Sequence, residues 1–240
     1  MRKSFILCPL LLVFFVFLSF CSFGQTAKEY FKRGSEKLKK QDYTGAIADF
    51  TKATEISPEY IKAYYHRGIA RDSLKDQSGA LADYDKVLEI SKNFTKAYYN
   101  RGIIKITLKD YSGAVFDFTK VLEIKSGYPE AYYYRGKAKL YLLDFRGAVA
   151  DFTEAINSLP GEMVYYLYRA EVRHKVQDYS GAIDDFTKVI EYEPNNSKAF
   201  FGRGMAKIYS GHRESGCLDL SKAGEQGYSE AYDLIKLYCN

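Results

Sequence analysis

An all-α fold, a solenoid of helix-turn-helix repeats closed by a C-terminal capping helix, is what this sequence predicts. Three observations carry the prediction. Small residues recur every 34 positions, at Gly34, Gly68, Gly102, Gly136, Ala170 and Gly204, and again at Ala46, Ala80, Ala114, Ala148, Ala182 and Gly216. Aromatics keep the same period at Phe50, Tyr84, Phe118, Phe152 and Phe186, with Leu220 closing the series. Within one period the small and apolar positions follow spacings of three and four, which is one face of a helix. A constant period of this length marks stacked supersecondary units, each covering its neighbour's apolar face.

The first 24 residues stand apart from the repeat. Arg2 and Lys3 precede an almost unbroken apolar run, Phe5–Phe20, and Ser22 and Gly24 supply small residues before Gln25. Residues 1–24 read as a secretory signal peptide. Two alternatives stay open. One is a retained membrane anchor, since roughly 16 apolar residues approach the length of a span. The other is a lipid-modified Cys21, against which the bulk of Phe20 counts. The mature chain, 25–240, is thereby expected to be exported, most simply to a periplasm. It would meet a membrane only through an uncleaved segment or a lipid on Cys21.

Six units follow, over about 27–60, 61–94, 95–128, 129–162, 163–196 and 197–228, with a capping helix over about 229–239. In the second unit Tyr64, Gly68 and Arg71 mark the first helix. Asp76 caps the next helix, and Asp42, Asp110, Asp144 and Asp178 stand at the same place, because a carboxylate satisfies the free amides of a helix start. Ala80, Tyr84, Val87 and Leu88 form the apolar stripe of the second helix. Pro58, Pro160 and Pro194 stop three second helices. The small columns are expected where two helices cross closely. The sixth unit is irregular: Gly224 and Gly227 are expected to shorten its second helix.

This 34-residue pattern of aromatic, small, small, aromatic and Pro resembles the tetratricopeptide repeat, over nearly all of the mature chain. The resemblance implies a right-handed superhelical solenoid. It also implies a concave groove, lined by the first helices, that holds a peptide. One departure is systematic: where the family usually has Leu before the first small residue, this chain has Arg33, Arg67, Arg101, Arg135, Arg169 and Arg203. Sixteen residues later stand Asp49, Asp83, Asp117, Asp151, Asp185 and Asp219. An Arg in helix packing is costly without an acid partner, so an Arg–Asp pair is expected inside each repeat, among them Arg67–Asp83, Arg101–Asp117 and Arg135–Asp151. A second basic column, Lys37, Arg71, Lys105, Lys139, Arg173 and Lys207, reads as a solvated network with Glu55, Glu89, Glu123 and Glu191.

The groove implied by the resemblance would present Phe31, Tyr65, Tyr99, Tyr133, Leu167 and Phe201. Lys62, Lys96 and Lys198 flank the row. Rings give contact area at low entropic cost and Lys attracts acids. The alternative is that the row packs between helices. The paired Lys and Asn residues with which some relatives hold a C-terminal carboxylate are missing. Cys217 and Cys239 remain after export and read either as one disulfide or as two buried thiols.

Signals of chemistry are lacking. The sequence has no phosphate loop, no His-Glu-x-x-His and no Cys-x-x-Cys. His66, His174 and His212 fall in different units and columns. Almost every acid is copied with the repeat, whereas an active site is unique. The net charge of +5 is mild and spread along the chain, unlike the basic stripe of a nucleic-acid binder. The expected function is a non-catalytic scaffold of the cell envelope that binds a protein partner, with no cofactor, metal, nucleic acid or small-molecule substrate. The alternative is a glycan- or peptidoglycan-binding accessory protein, since Tyr rings suit sugars.

Overall fold

The structure is a computed structural model and describes residues 26–239; the proposed signal segment, with Cys8 and Cys21, lies outside them. The described residues are helical throughout, with no strand. A helix over 26–39 (α1) is followed by α2 (Tyr43–Ile56), α3 (Ile61–Ser73), α4 (Gln77–Ile90), α5 (Thr95–Thr107), α6 (Tyr111–Ile124) and α7 (Pro129–Tyr141). Then come α8 (Phe145–Ser158), α9 (Met163–Lys175), α10 (Tyr179–Tyr192), α11 (Ser197–Tyr209), α12 (Arg213–Glu225) and α13 (Glu230–Tyr238). The chain divides into two compact units, and the boundary falls inside α5, after Ile104. No described helix is long and apolar enough to cross a membrane.

The turn within each repeat explains why its two helices pack antiparallel. In the second repeat the Asp76 amide donates back to the Arg71 carbonyl at 2.9 Å and the Lys75 amide to the Asp72 carbonyl at 2.9 Å. This closes α3 with one residue, Lys75, in the left-handed region at φ 65°. The same Asp76 then accepts from the Gly79 amide and starts α4. One residue thus ends one helix and caps the next. Asp42, Asp110, Asp144 and Asp178 accept from Gly45, Gly113, Gly147 and Gly181 in the same way. The second helices α2, α8 and α10 end at Ile56, Ser158 and Tyr192, two residues before Pro58, Pro160 and Pro194.

The second-helix aromatics are the core of each repeat. Phe50, Tyr84, Phe118, Phe152 and Phe186 are all buried, and burying a ring of this size stabilises by about 1.5–3 kcal/mol. The small first-helix column exists to admit them. A Cβ on Gly136 would stand 2.9 Å from Cε1 of Phe152. The tight neighbour there is a ring; in the sixth repeat a Cβ on Gly204 would instead stand 2.9 Å from the Gly216 carbonyl oxygen, where two backbones meet. α12 has 13 residues where α2, α4, α6, α8 and α10 have 14, and the Gly227 amide donates to the Gly224 carbonyl at its end. Gly224 itself stays helical. It is buried within that helix beneath the Tyr232 ring, and the left-handed Gly227 (φ 93°) follows the helix end.

The charge ladder sits against this core. Arg135 donates Nε and Nη2 to the two oxygens of Asp151 at 3.0 and 2.7 Å. Arg67–Asp83, Arg169–Asp185 and Arg203–Asp219 are forked alike, and Arg33 pairs with Asp49. Arg101 meets Asp85 at 2.6 Å within the first unit, while Asp117 meets Lys105 within the second. Each Arg also lies over the ring three residues earlier, as Arg135 over Tyr132 and Arg203 over Phe200. In Arg67, Arg135, Arg169 and Arg203 the Nη1 also reaches a Thr of the preceding repeat, at 3.1 Å for Arg67–Thr51 and Arg169–Thr153. In these four repeats one guanidinium ties both helices of its own repeat to the repeat before.

The second basic column departs from the sequence expectation. Lys37, Arg71, Lys105, Lys139, Arg173 and Lys207 turn inward to the same aspartates, Asp49, Asp83, Asp117, Asp151, Asp185 and Asp219, at 2.7–2.9 Å. A forked Arg leaves lone pairs free on the carboxylate, and a cation one helical turn further along fills them. The glutamates pair instead within their own helices, as Lys86–Glu89, Lys120–Glu123 and Lys188–Glu191. At the C-terminal end α13 packs on α12, and a disulfide joins Cys217 to Cys239.

Candidate functional site

The first-helix residues expected to face a partner are half-buried in both units. In the first unit Phe31 lies 5.1 Å from Tyr60 and 5.3 Å from His66, and Tyr65 lies 5.1 Å from Phe94. Tyr99 is half-buried on α5, and Lys62 and Lys96 are exposed. In the second unit Tyr133 touches Tyr134, Tyr165 and Tyr168 at 4.9–5.4 Å. Leu167 packs on the Ala170–Phe186 core, and Phe201 lies 4.5 Å from Tyr228. The row thus does both things the sequence left open: each side chain packs partly on a neighbour and keeps part of its surface to solvent. Burial sets the character of the phenols. It raises Tyr133 well above the ordinary tyrosine range and pushes Tyr165 up to about 12, so these rings are neutral hydroxyl-bearing surfaces at any physiological pH.

Within the second unit α9 touches both α7 and α11, so three successive first helices line one face. Lys137 lies over the rings of Tyr133 and Tyr168 at 5.3 and 5.1 Å, and Lys198 over Tyr168 at 5.7 Å. The result is a strip of rings with cations along it, suited to an extended or helical chain bearing acids.

The strip deepens into a pocket of about 330 Å³ between α9 and α11. Phe186, Gly202, His174, Phe201, Met205 and two tyrosines, Tyr209 and Tyr228, line it. The charged residues in its lining are Lys175, Glu171 and Lys198. Lys198 pairs with Glu171 at 2.5 Å. Nε2 of His174 is buried without a hydrogen-bond partner, and burial lowers the pKa of that imidazole, which keeps it neutral. Phe201 and Lys198 of this pocket belong to the sequence-derived row. His174 falls in the column Asp72, Ile106, Leu140, His174 and Ile208, further down the same helices, which the sequence also places on the groove floor. Gly202, Met205, Tyr209 and Tyr228 belong to neither, because they sit in columns where the repeat is broken rather than kept. Among the described residues no group of three His, Cys, Asp or Glu side chains could hold a metal ion. What the arrangement offers is an apolar, partly wet binding surface.

Residues 29–71 match a family described as TPR repeat, and residues 61–94 and 95–128 one described as tetratricopeptide repeat. No curated protein matches the chain. Among solved structures, the chain is similar to YrrB, described as a TPR protein with an unusual peptide-binding site, at TM-score 0.72 and 24% identity, over 78% of this chain and 97% of that one. It is similar to MamA from Desulfovibrio magneticus RS-1 at TM-score 0.67 and 24% identity, over 71% and 97%. PilF of Pseudomonas aeruginosa matches at TM-score 0.67 and 16% identity, over 87% and 97%. At these identities the likeness is one of fold.

Proposed function

We propose that this chain, which is built of tetratricopeptide repeats, is a non-catalytic scaffold of the cell envelope that holds a segment of a partner protein against its first helices. Tetratricopeptide repeats generally mediate protein–protein interactions, and YrrB is described as having a peptide-binding site. The observation that carries the reading is the ring-and-lysine face of α7, α9 and α11. Tyr133, Tyr168 and Phe201 keep exposed surface there beside Lys137 and Lys198. Such a face gives large contact area at low entropic cost. The envelope location rests on the N-terminal segment of the sequence.

The test is capture of a partner by the mature chain from its native envelope. It is run beside a Tyr65→Ala, Tyr99→Ala, Tyr133→Ala variant and beside Lys62→Glu with Lys96→Glu, whose exposed side chains leave packing intact. Loss of the same protein from both variants supports the groove. Equal capture by all three chains places the contact elsewhere and refutes it. A rise in thermal stability with oligosaccharides, and no protein partner, would replace this reading by a glycan-binding one.

A further inference from the structure

The first-helix column one residue past the aromatic row holds His66, Asn100, Tyr134 and Tyr168, and each side chain covers the aromatic ring of the second helix before it. His66 lies 5.9 Å from Phe50. Asn100 donates to the Tyr84 hydroxyl at 3.4 Å. Tyr134 stacks on Phe118 at 5.7 Å with planes 16° apart, and Tyr168 lies 5.8 Å from Phe152. In the last repeat the column ends in Gly202. With no side chain to hold it off, the Phe186 ring leans so close that a Cβ on Gly202 would stand 2.3 Å from its Cζ. The leaning Phe186 ring and the bare Gly202 backbone both line a pocket of about 330 Å³, which no side chain of this column covers.

We infer that this pocket takes an aromatic side chain, of tyrosine type, from a partner segment that carries a carboxylate next to it. The inference rests on the groove reading and names its anchor. Three features fit that occupant. The volume sits at the lower end of the range for ligand pockets, which matches one ring with its adjoining backbone. The ring would lie on Phe186 as Tyr134 lies on Phe118, against the thioether of Met205, a contact favourable to aromatic rings. The buried Nε2 of neutral His174 has no partner, and a phenol hydroxyl at the tip of the ring supplies one, removing the cost of an unmatched polar atom. The charge around the rim selects the neighbour. Glu171 is already paired with Lys198, which leaves exposed Lys175 to attract an acid.

The experiment is amide NMR titration of the mature chain, 25–240, with two blocked tetrapeptides, acetyl-Gly-Glu-Tyr-Gly-amide and acetyl-Gly-Glu-Ala-Gly-amide. The tyrosine peptide is expected to move amides of α9 and α11 and to bind about tenfold to a hundredfold more tightly than the alanine peptide, the effect of burying one ring. Gly202→Tyr brings a ring into the pocket by pushing aside Phe186, whose Cζ would stand 2.3 Å from the new Cβ; with its fold checked by circular dichroism, it is expected to abolish this binding. Lys175→Glu, at an exposed position, is expected to weaken the peptide several-fold without touching the fold. Equal binding of both peptides, binding that survives Gly202→Tyr and ignores Lys175→Glu, or no shift with either peptide overturns the anchor. The two readings separate cleanly: a native partner captured equally by the parent and by Gly202→Tyr removes the anchor and leaves the scaffold, whereas a parent chain that captures nothing removes the scaffold.

Discussion

Replacing Asp151 by Ala removes the buried acid that two half-buried cations share. Asp151 is 3% exposed. It accepts from Arg135 Nε and Nη2 at 3.0 and 2.7 Å and from Lys139 Nζ at 2.8 Å. The side chains of Arg135 and Lys139 are only 17% and 20% exposed, so neither escapes to water without repacking. Breaking a buried pair by deleting one partner costs about 3–5 kcal/mol, and two cations facing each other place the loss at the upper part of that range. For a chain of this size each kcal/mol shifts Tm by about 2–4 °C, so a fall of about 8–16 °C is expected. The assay is thermal and urea unfolding followed by far-ultraviolet circular dichroism, with a triple variant (Asp151→Ala, Arg135→Met, Lys139→Met) alongside. Removing the whole cluster leaves no orphan charge, so the triple variant loses less than the single one. A single variant that loses under about 1 kcal/mol, or a triple that loses more than the single, refutes the buried-triad argument.

Three further outcomes rest on single residues of the fold. Leu143 sits at φ 62° with 71% of its surface exposed. Leu143→Gly removes a left-handed strain of about 1–2 kcal/mol and adds about 0.5–1 kcal/mol of unfolded-state entropy, so stability rises slightly; a lower urea midpoint sinks this. Cys217 and Cys239 close a loop with a sequence separation of 22, and Cys217→Ser with Cys239→Ser is expected to cost the second unit about 3 kcal/mol; no change on reduction with dithiothreitol counts against it. Burial lowers the pKa of His66 and His174 below the unfolded value, and the Arg33 hydrogen bond lowers Asp49. In both cases the native state binds fewer protons than the unfolded state. The histidine contribution is therefore complete above about pH 6.5 and is lost as pH falls through the lowered values, and the Asp49 contribution is lost below about pH 4. A urea midpoint that stays flat from neutral pH down to about 5 contradicts the histidine part.

The period, the Asp caps and the Arg and Asp columns were legible because each is a repeated local choice, visible as one residue type at one spacing. What was hidden depended on three-dimensional sharing. A carboxylate has two oxygens, and spacing alone does not say that Lys139 competes with Arg135 for Asp151 rather than with a glutamate for solvent. The left-handed turn residue was missed because Gln41, Lys75, Lys109, Leu143 and Gln177 hold it without glycine, and only Gly211 carries the usual mark. The pocket was hidden for a different reason. Gly202 is one small residue in a column whose other members, lysine, histidine, asparagine and tyrosine, share no chemistry. What His66, Asn100, Tyr134 and Tyr168 have in common is the ring each covers, and that is visible only in three dimensions.

The central claim is that a partner lies on the first-helix face, and photo-crosslinking in the native envelope tests it most directly. A benzoylphenylalanine is placed at Lys175 or Lys62 on first helices, and at the exposed Phe116 or Tyr192 on second helices. The account predicts that one protein is covalently trapped from Lys175 and Lys62 and not from Phe116 or Tyr192. Trapping of that protein only from Phe116 or Tyr192 would contradict it.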